Sequence, residues 1–274
     1  MSKTDISSGV ESPAVNVLQL HKKYGEVSAI TGLSWSAALG EWWGVIGPNG
    51  SGKSTLIQLL SGVEQPGKGE VRIVGRLVSD YRRKELSRII AVLQQEGLPP
   101  MGYTVRDVVG MGRFPHQDWL GRDHDGEARQ ITEQVLERLE LLPLAERRLD
   151  QLSGGQRQRV ALAKVMAQEP QILLLDEPTT YLDIRYQLQF MELLSEWRQE
   201  TGITIIAVLH DLNLAAQFCD RMLILQEDQA GICGTPSELL TEDTLRKVYE
   251  IDSLVIEHPD HGAPQLLLRR SSRR

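Results

Sequence analysis

Apolar residues gather along this chain in short runs separated by polar stretches. Glu41 to Ile46 leads into a glycine-rich turn and then into Lys53 to Leu60, where apolar and polar positions alternate at helical spacing. Gln171 to Leu175 and Ile203 to Leu209 repeat the arrangement, each an apolar run followed by polar residues and a further helical stretch. Runs this short, apolar at nearly every position, suit parallel strands buried on both faces. The pattern therefore predicts an α/β protein in which these three runs are neighbouring central strands covered by helices.

From about residue 99 to 152 the strand signal fades. Thr104 is placed to cap one helix, and Ile131, Val135, Leu139 and Leu142 recur at helical spacing in another. A helical insertion in the α/β core is the economical reading. It divides the chain into a first core part (14–98), a helical part (99–164), a second core part (165–258) and a C-terminal tail (259–274), which ends in the basic, polar RRSSRR.

Composition narrows the classes. With 41% hydrophobic and 24% charged residues in 274, this is the make-up of a globular protein, and its longest apolar runs fall far short of a bilayer span. The polar opening MSKTDISSGVESP holds no secretory signal, so Cys219 and Cys233 read as reduced structural thiols. A formal net charge of −7 offers no general attraction to phosphate backbones. Any anion must be held by a local set of donors, and nucleic acid is not an expected partner.

Gly47, Pro48, Asn49, Gly50, Ser51, Gly52, Lys53 and Ser54 fit G-x-x-x-x-G-K-[ST], between a predicted strand and a predicted helix. Glycines there let backbone N–H groups turn around phosphate oxygens, and the helix N-terminus adds positive potential. Lys53 is placed to reach the β and γ phosphates and Ser54 to ligate Mg²⁺. Ile172 to Pro178 sets two carboxylates at the end of an apolar strand, a costly position unless a metal or a reacting water stabilises them. Asp176 is assigned to the Mg²⁺ shell and Glu177 to orienting or deprotonating water. In Leu152 to Arg159, Ser153 caps a helix that continues through Met166, and Gly154 and Gly155 expose the amides of its first turn. Two anion-binding helix ends in one chain make sense if the second serves a nucleotide held by another copy.

The phosphate loop at 47–54, the LSGGQ of 152–156 and the LLLDEP run, in this order and spacing, resemble the ABC ATPases from about residue 15 to 258. The resemblance implies a P-loop NTPase (RecA-like) core with an antiparallel β subdomain and an inserted α-helical subdomain. It implies ATP and Mg²⁺ as cofactors, with Gly47 to Thr55 of one copy facing Ser153 to Gln156 of a second in a head-to-tail dimer. Tyr24 resembles the residue that stacks on adenine. Gln95 resembles the glutamine that senses Mg²⁺ and γ-phosphate, with adjacent Gln94 leaving the register open by one. Asp183 matches the loop joining the two sites, Thr180 and Tyr181 standing where serine or alanine is usual, and His210 matches the histidine that contacts the γ-phosphate.

Thr104 to Val109, Gly112 to His116, EPTTYLDI and VLHDLN resemble the importer branch for ferric siderophores, haem and cobalamin, as does the ending LLTEDTLRKVYEIDSLVI. The expected function is then ATP hydrolysis energising such an importer, ferric siderophores first, from the cytoplasmic face of the membrane. Separate permease subunits would be direct partners and a substrate-binding protein an indirect one. The alternative, a soluble ABC ATPase remodelling DNA or ribosomes, would be expected to show paired cassettes, coiled-coil arrays or zinc insertions, which this sequence lacks.

Overall fold

The computed structural model describes residues 12–94, 98–118, 127–180, 182–227 and 229–269. The chain opens with an antiparallel hairpin, β1 (Val15–Tyr24) and β2 (Val27–Ala37), followed by β3 (Trp42–Ile46) and α1 (Lys53–Leu60). Next come β4 (Lys68–Ile73), β5 (Arg76–Leu77), α2 (Arg83–Ile89) and β6 (Ile90–Leu93). The helical part holds α3 (Val105–Gly110), α4 (Ala128–Arg138) and α5 (Gly154–Ala167). The core resumes with β7 (Ile172–Asp176), α6 (Ile184–Thr201), β8 (Thr204–Val208), α7 (Leu212–Phe218), β9 (Arg221–Ile224) and β10 (Ile232–Gly234). Helices α8 (Pro236–Leu239) and α9 (Glu242–Tyr249) precede a last hairpin, β11 (Ser253–Glu257) and β12 (Pro264–Leu268).

Six strands form one sheet in the order β10-β9-β3-β8-β7-β6, and all its pairings except β10 with β9 are parallel. The runs expected to be central neighbours are β3, β8 and β7, adjacent in that order. Their uniform apolarity follows from covered faces on both sides. In β7, Leu173 and Leu175 face a core shared with the helical part, whereas Ile172 and Leu174 face a second core shared with the antiparallel sheet. Strand β8 divides in the same way, Ile205 and Ala207 against Ile206 and Val208. That second sheet, β2-β1-β4-β5, packs with α1 against the core carrying Trp43 and Val45.

The helical part differs from its sequence reading at one end. The α4 helix stops at Arg138 and does not continue to Leu142, because Glu140 turns left-handed (φ 55°) and Pro143 follows. One continuous α5 crosses the 164/165 division, and its buried Val165 to Ala167 join the larger core. A more substantial correction concerns the tail. Residues 259–269 are the turn and return strand of the β11–β12 hairpin, with Leu266 packed on the core. The remainder, 270–274, lies outside the described residues. Among the described residues no helix is long and apolar enough to cross a membrane.

Candidate functional site

The site forms where parallel strands end. Buried β3 delivers the chain into a loop that the backbone can follow only with glycine at two points. A Cβ on Gly47 (φ +149°) would lie 2.3 Å from the Leu225 carbonyl oxygen, and one on Gly52 (φ +90°) would lie 2.2 Å from that of Ala29. Gly52 then starts α1 without a side-chain cap, so the helix's first N–H groups remain available to an anion. Ser51 is 4% exposed and its hydroxyl has no hydrogen-bond partner among the described residues. An orphaned buried hydroxyl beside the start of an uncapped helix fits a phosphate that would complete its bonding.

Lys53 is buried, its ammonium donating to the carbonyls of Gly47 (3.0 Å) and Pro48 (2.9 Å). Desolvation holds its pKa below the usual lysine value, opposed by the charges of Glu177 and Asp176. The ammonium is thus kept inside the loop by weak neutral acceptors, ready to exchange them for phosphate oxygens. Lys53→Ala is expected to weaken ATP binding by roughly 10- to 100-fold, since hydrogen bonds to a charged group contribute about 1.5–3 kcal/mol. Equilibrium dialysis with ATP measures this, and unchanged affinity would contradict the phosphate role.

From the next strand come the acids. The Ser54 hydroxyl donates to Asp176 Oδ1 at 3.2 Å, which brings together the two residues expected to hold Mg²⁺. Burial raises the Asp176 pKa, with the Ser54 hydrogen bond pulling the other way. A half-buried carboxylate beside a hydroxyl is the oxygen donor set that a hard divalent cation takes. Glu177 follows in the left-handed region (φ 51°), its N–H bonded to the Val208 carbonyl at 3.2 Å. That strained turn aims its carboxylate across the end of β8, where His210 Nε2 lies 2.5 Å from Glu177 Oε1. Thr180 Oγ1 stands 3.4 Å from the other oxygen.

Ser153 caps α5 as its sequence suggests. Its Oγ accepts from the Gln156 N–H (3.3 Å) while the Gln156 side chain accepts from the Ser153 N–H (2.9 Å). A Cβ on Gly154 or Gly155 would meet nothing within 4 Å. No internal contact requires glycine there, which suits close approach by something outside the chain. No hydrogen bond or ion pair among the described residues joins Ser153 to Gln156 with the phosphate loop. Asp183 caps α6, accepting from the Tyr186 N–H at 3.0 Å.

Tyr24 is 44% exposed at the end of β1, with the Lys22 ammonium 5.1 Å from its ring centre. It shares the hairpin whose Ala29 carbonyl abuts Gly52. Gln95 lies outside the described residues, as does Tyr181, whereas Gln94 is exposed after β6. Three contacts had no counterpart in the sequence reading. Gln158 donates to the Pro178 carbonyl (3.1 Å), joining α5 to the residue after Glu177. Gln187 donates to the carbonyls of Thr179 (3.1 Å) and Leu182 (3.0 Å), holding the loop before α6. Half-buried Tyr249, its phenol pushed up to about 12 by desolvation, takes a hydrogen bond from the Gly47 backbone. All three use backbone atoms as partners, which no motif records.

A family model described as ABC transporter matches residues 30–180. The ferric enterobactin transport ATP-binding protein FepC of Escherichia coli (strain K12) is 39% identical over 246 residues, covering 90% of each chain. The hemin import ATP-binding protein HmuV of Pseudomonas aeruginosa is 39% identical over 260 residues, 93% of this chain and 100% of that one. The ABC transporter ATP-binding protein YvrA of Bacillus subtilis is 37% identical over 90% of this chain, which spans 56% of YvrA's length. Among solved structures, an inward-facing metal-chelate type ABC transporter superposes with a TM-score of 0.81 at 27% identity, over 95% of this chain and 99% of that one. The dimeric, ADP- and Pi-bound cassette MJ0796 gives a TM-score of 0.69 at 31% identity, over 81% and 98%.

Proposed function

The chain belongs to the ABC transporter family as an ATP-binding ATPase subunit, and from that premise we propose that it drives import of an iron(III) chelate, a ferric siderophore first and haem or cobalamin next. The observation that carries the mechanism is the unequal setting of two phosphate-suited helix ends. One, at Gly52, stands beside Lys53, Asp176, Glu177 and His210, while the other, at Ser153, opens outward through two unencumbered glycines. A second copy in head-to-tail register would bring its Ser153 to Gln156 onto the nucleotide held by the first.

Within each half, Lys53 would turn from its own loop carbonyls to the phosphates, and Tyr24 would stack on adenine. Ser54 and Asp176, with Gln95, would hold Mg²⁺, which when bound neutralises charge on the β and γ phosphates. Glu177 accepts the proton of the attacking water, and His210 contacts the γ-phosphate, exchanging its partner Glu177 for it. Asp183 would face its counterpart in the second copy. Loss of the γ-phosphate removes contacts made only in the closed pair, so the pair reopens. That movement would pass through the helical subdomain (99–164) to integral membrane permease subunits at the cytoplasmic face, with a substrate-binding protein upstream.

The substrate class rests on likeness to importer subunits named for ferric enterobactin and hemin. Tagged Glu177→Gln protein, extracted from its native membranes and analysed by mass spectrometry, is expected to carry a polytopic permease. Recovery of ribosomes or DNA-associated proteins without a membrane partner would overturn the transport reading and leave the ATPase intact.

A further inference from the structure

His210 is placed by its backbone more than by its own packing. Its side chain is 45% exposed, and its Nε2 lies 2.5 Å from Glu177 Oε1. On the N-terminal side the backbone is fixed by the Leu209 N–H bond to the Val45 carbonyl (3.1 Å), which continues the sheet. On the other side stands α7, only seven residues long and therefore dependent on tertiary anchors for its position. Asp211 caps it, accepting from the N–H groups of Asn213 (2.8 Å) and Leu214 (3.1 Å). That cap shapes the first turn but does not tie it to the rest of the protein.

Leu212, Ala215 and Ala216 pack α7 on the core, and Asn213 adds a directional polar tie to β12. Its amide donates to the Leu266 carbonyl (3.3 Å), and its Oδ1 accepts from the Leu266 N–H (2.7 Å), so both backbone groups of one β12 residue meet one side chain. The register explains why they are free to do so. Arg269 N–H bonds to the Asp252 carbonyl and His258 N–H to that of Ala263. Val255 and Leu266, opposite each other at the alternate parity, form a non-hydrogen-bonded pair whose N–H and C=O groups point out of the hairpin. Asn213 therefore closes the outer edge of β12 as a further strand would. Asparagine is a mediocre helix former at such a position, and its benefit lies in this contact.

We propose that Asn213 is a positioning residue for ATP hydrolysis: by pinning the first turn of α7 to the C-terminal hairpin, it holds His210 where it meets Glu177 and the γ-phosphate. The proposal rests on the assignment of His210 to the hydrolytic site. Displacement of a reacting group by about 1 Å can lower a rate by roughly 100-fold, so partial loosening of α7 should cost about tenfold in kcat. ATP affinity, set by the loop at Gly47 to Thr55, should change by less than about twofold.

Steady-state MgATP hydrolysis is measured on the purified full chain as wild type, N213A, N213D, H210A and the H210A/N213A double variant. The expected result is a tenfold lower kcat for N213A at nearly constant KM. N213D, which keeps the acceptor for the Leu266 N–H, should recover part of that loss, and the double variant should be no slower than H210A. Wild-type kcat in N213A beside a silent H210A overturns the proposal and leaves the His210 assignment standing. Wild-type kcat in H210A overturns that assignment instead. Losses that multiply in the double variant show that Asn213 does not act through His210. If N213A does not fold, N213D decides by the same criteria, its kcat deficit vanishing in the H210A background or refuting the idea.

Discussion

Glu177→Gln is expected to bind ATP with wild-type affinity and to hydrolyse it about a thousandfold more slowly, within the range by which a positioned general base accelerates proton transfer. The substitution keeps the shape of the side chain and asks nothing new of the backbone, which holds residue 177 at φ 51° through its N–H bond to Val208. What it removes is the basic oxygen. That carboxylate is shared between His210 at 2.5 Å and Thr180 at 3.4 Å, with 16% of the side chain exposed. Because hydrolysis is the step that reopens the closed pair, blocking it should let the ATP-bound form accumulate as a dimer. Phosphate release, ATP dialysis and gel filtration read the three parts separately. An ATP-bound mutant that stays monomeric would count heavily against the two-copy site, whereas wild-type turnover would remove Glu177 from its role while leaving the dimer open.

The residues that make this test possible were legible in the sequence to different degrees, for physical reasons. The β7 run announced itself because a strand covered on both faces must be apolar at every position, and acids at its end then stand out as unpaid desolvation unless they serve chemistry. The phosphate loop was legible because its φ values exclude other residues at Gly47 and Gly52. Ser153 followed from the reciprocal cap with Gln156, a local pattern confined to four residues. The C-terminal hairpin gave no such signal. Val255 and Leu266 owe their packing to a core built from elements elsewhere in the chain, and the polar turn HPDHGA between them reads like the start of a tail. Gln158, Asn213 and Tyr249 were hidden for a related reason: each is defined by a backbone partner across the fold, and the partner's own side chain is irrelevant to the bond. Side-chain chemistry near a ligand leaves motifs, whereas the contacts that steady it need not.

Ser153→Arg separates the two halves of the site most sharply. It should leave ATP binding to the monomer unchanged and lower hydrolysis by about 100-fold or more, as expected when oriented donors to a reacting centre are lost. The location of Ser153 makes the first half of that statement. It starts α5, outside the cluster of Lys53, Ser54, Asp176, Glu177 and His210, and its hydrogen bonds are to Gln156 and Arg157 of the same helix. Arginine at the cap position would forfeit the Oγ bond to the Gln156 N–H, a loss of about 1 kcal/mol in helix stability that a core this size can bear. The second half comes from the space beyond Gly154 and Gly155, where a Cβ would meet nothing within 4 Å. An arginine side chain would fill the approach that a partner's nucleotide needs, whatever favourable charge it carried. Mixing S153R with E177Q protein then yields a discriminating hybrid. Head-to-tail pairing gives one site with a normal Glu177 and a normal Ser153, and the other with both replaced, so the mixture should regain hydrolysis that neither variant shows alone. Failure to regain it, with both proteins folded and binding ATP, would mean that Ser153 serves its own chain's nucleotide and that the composite site is wrong.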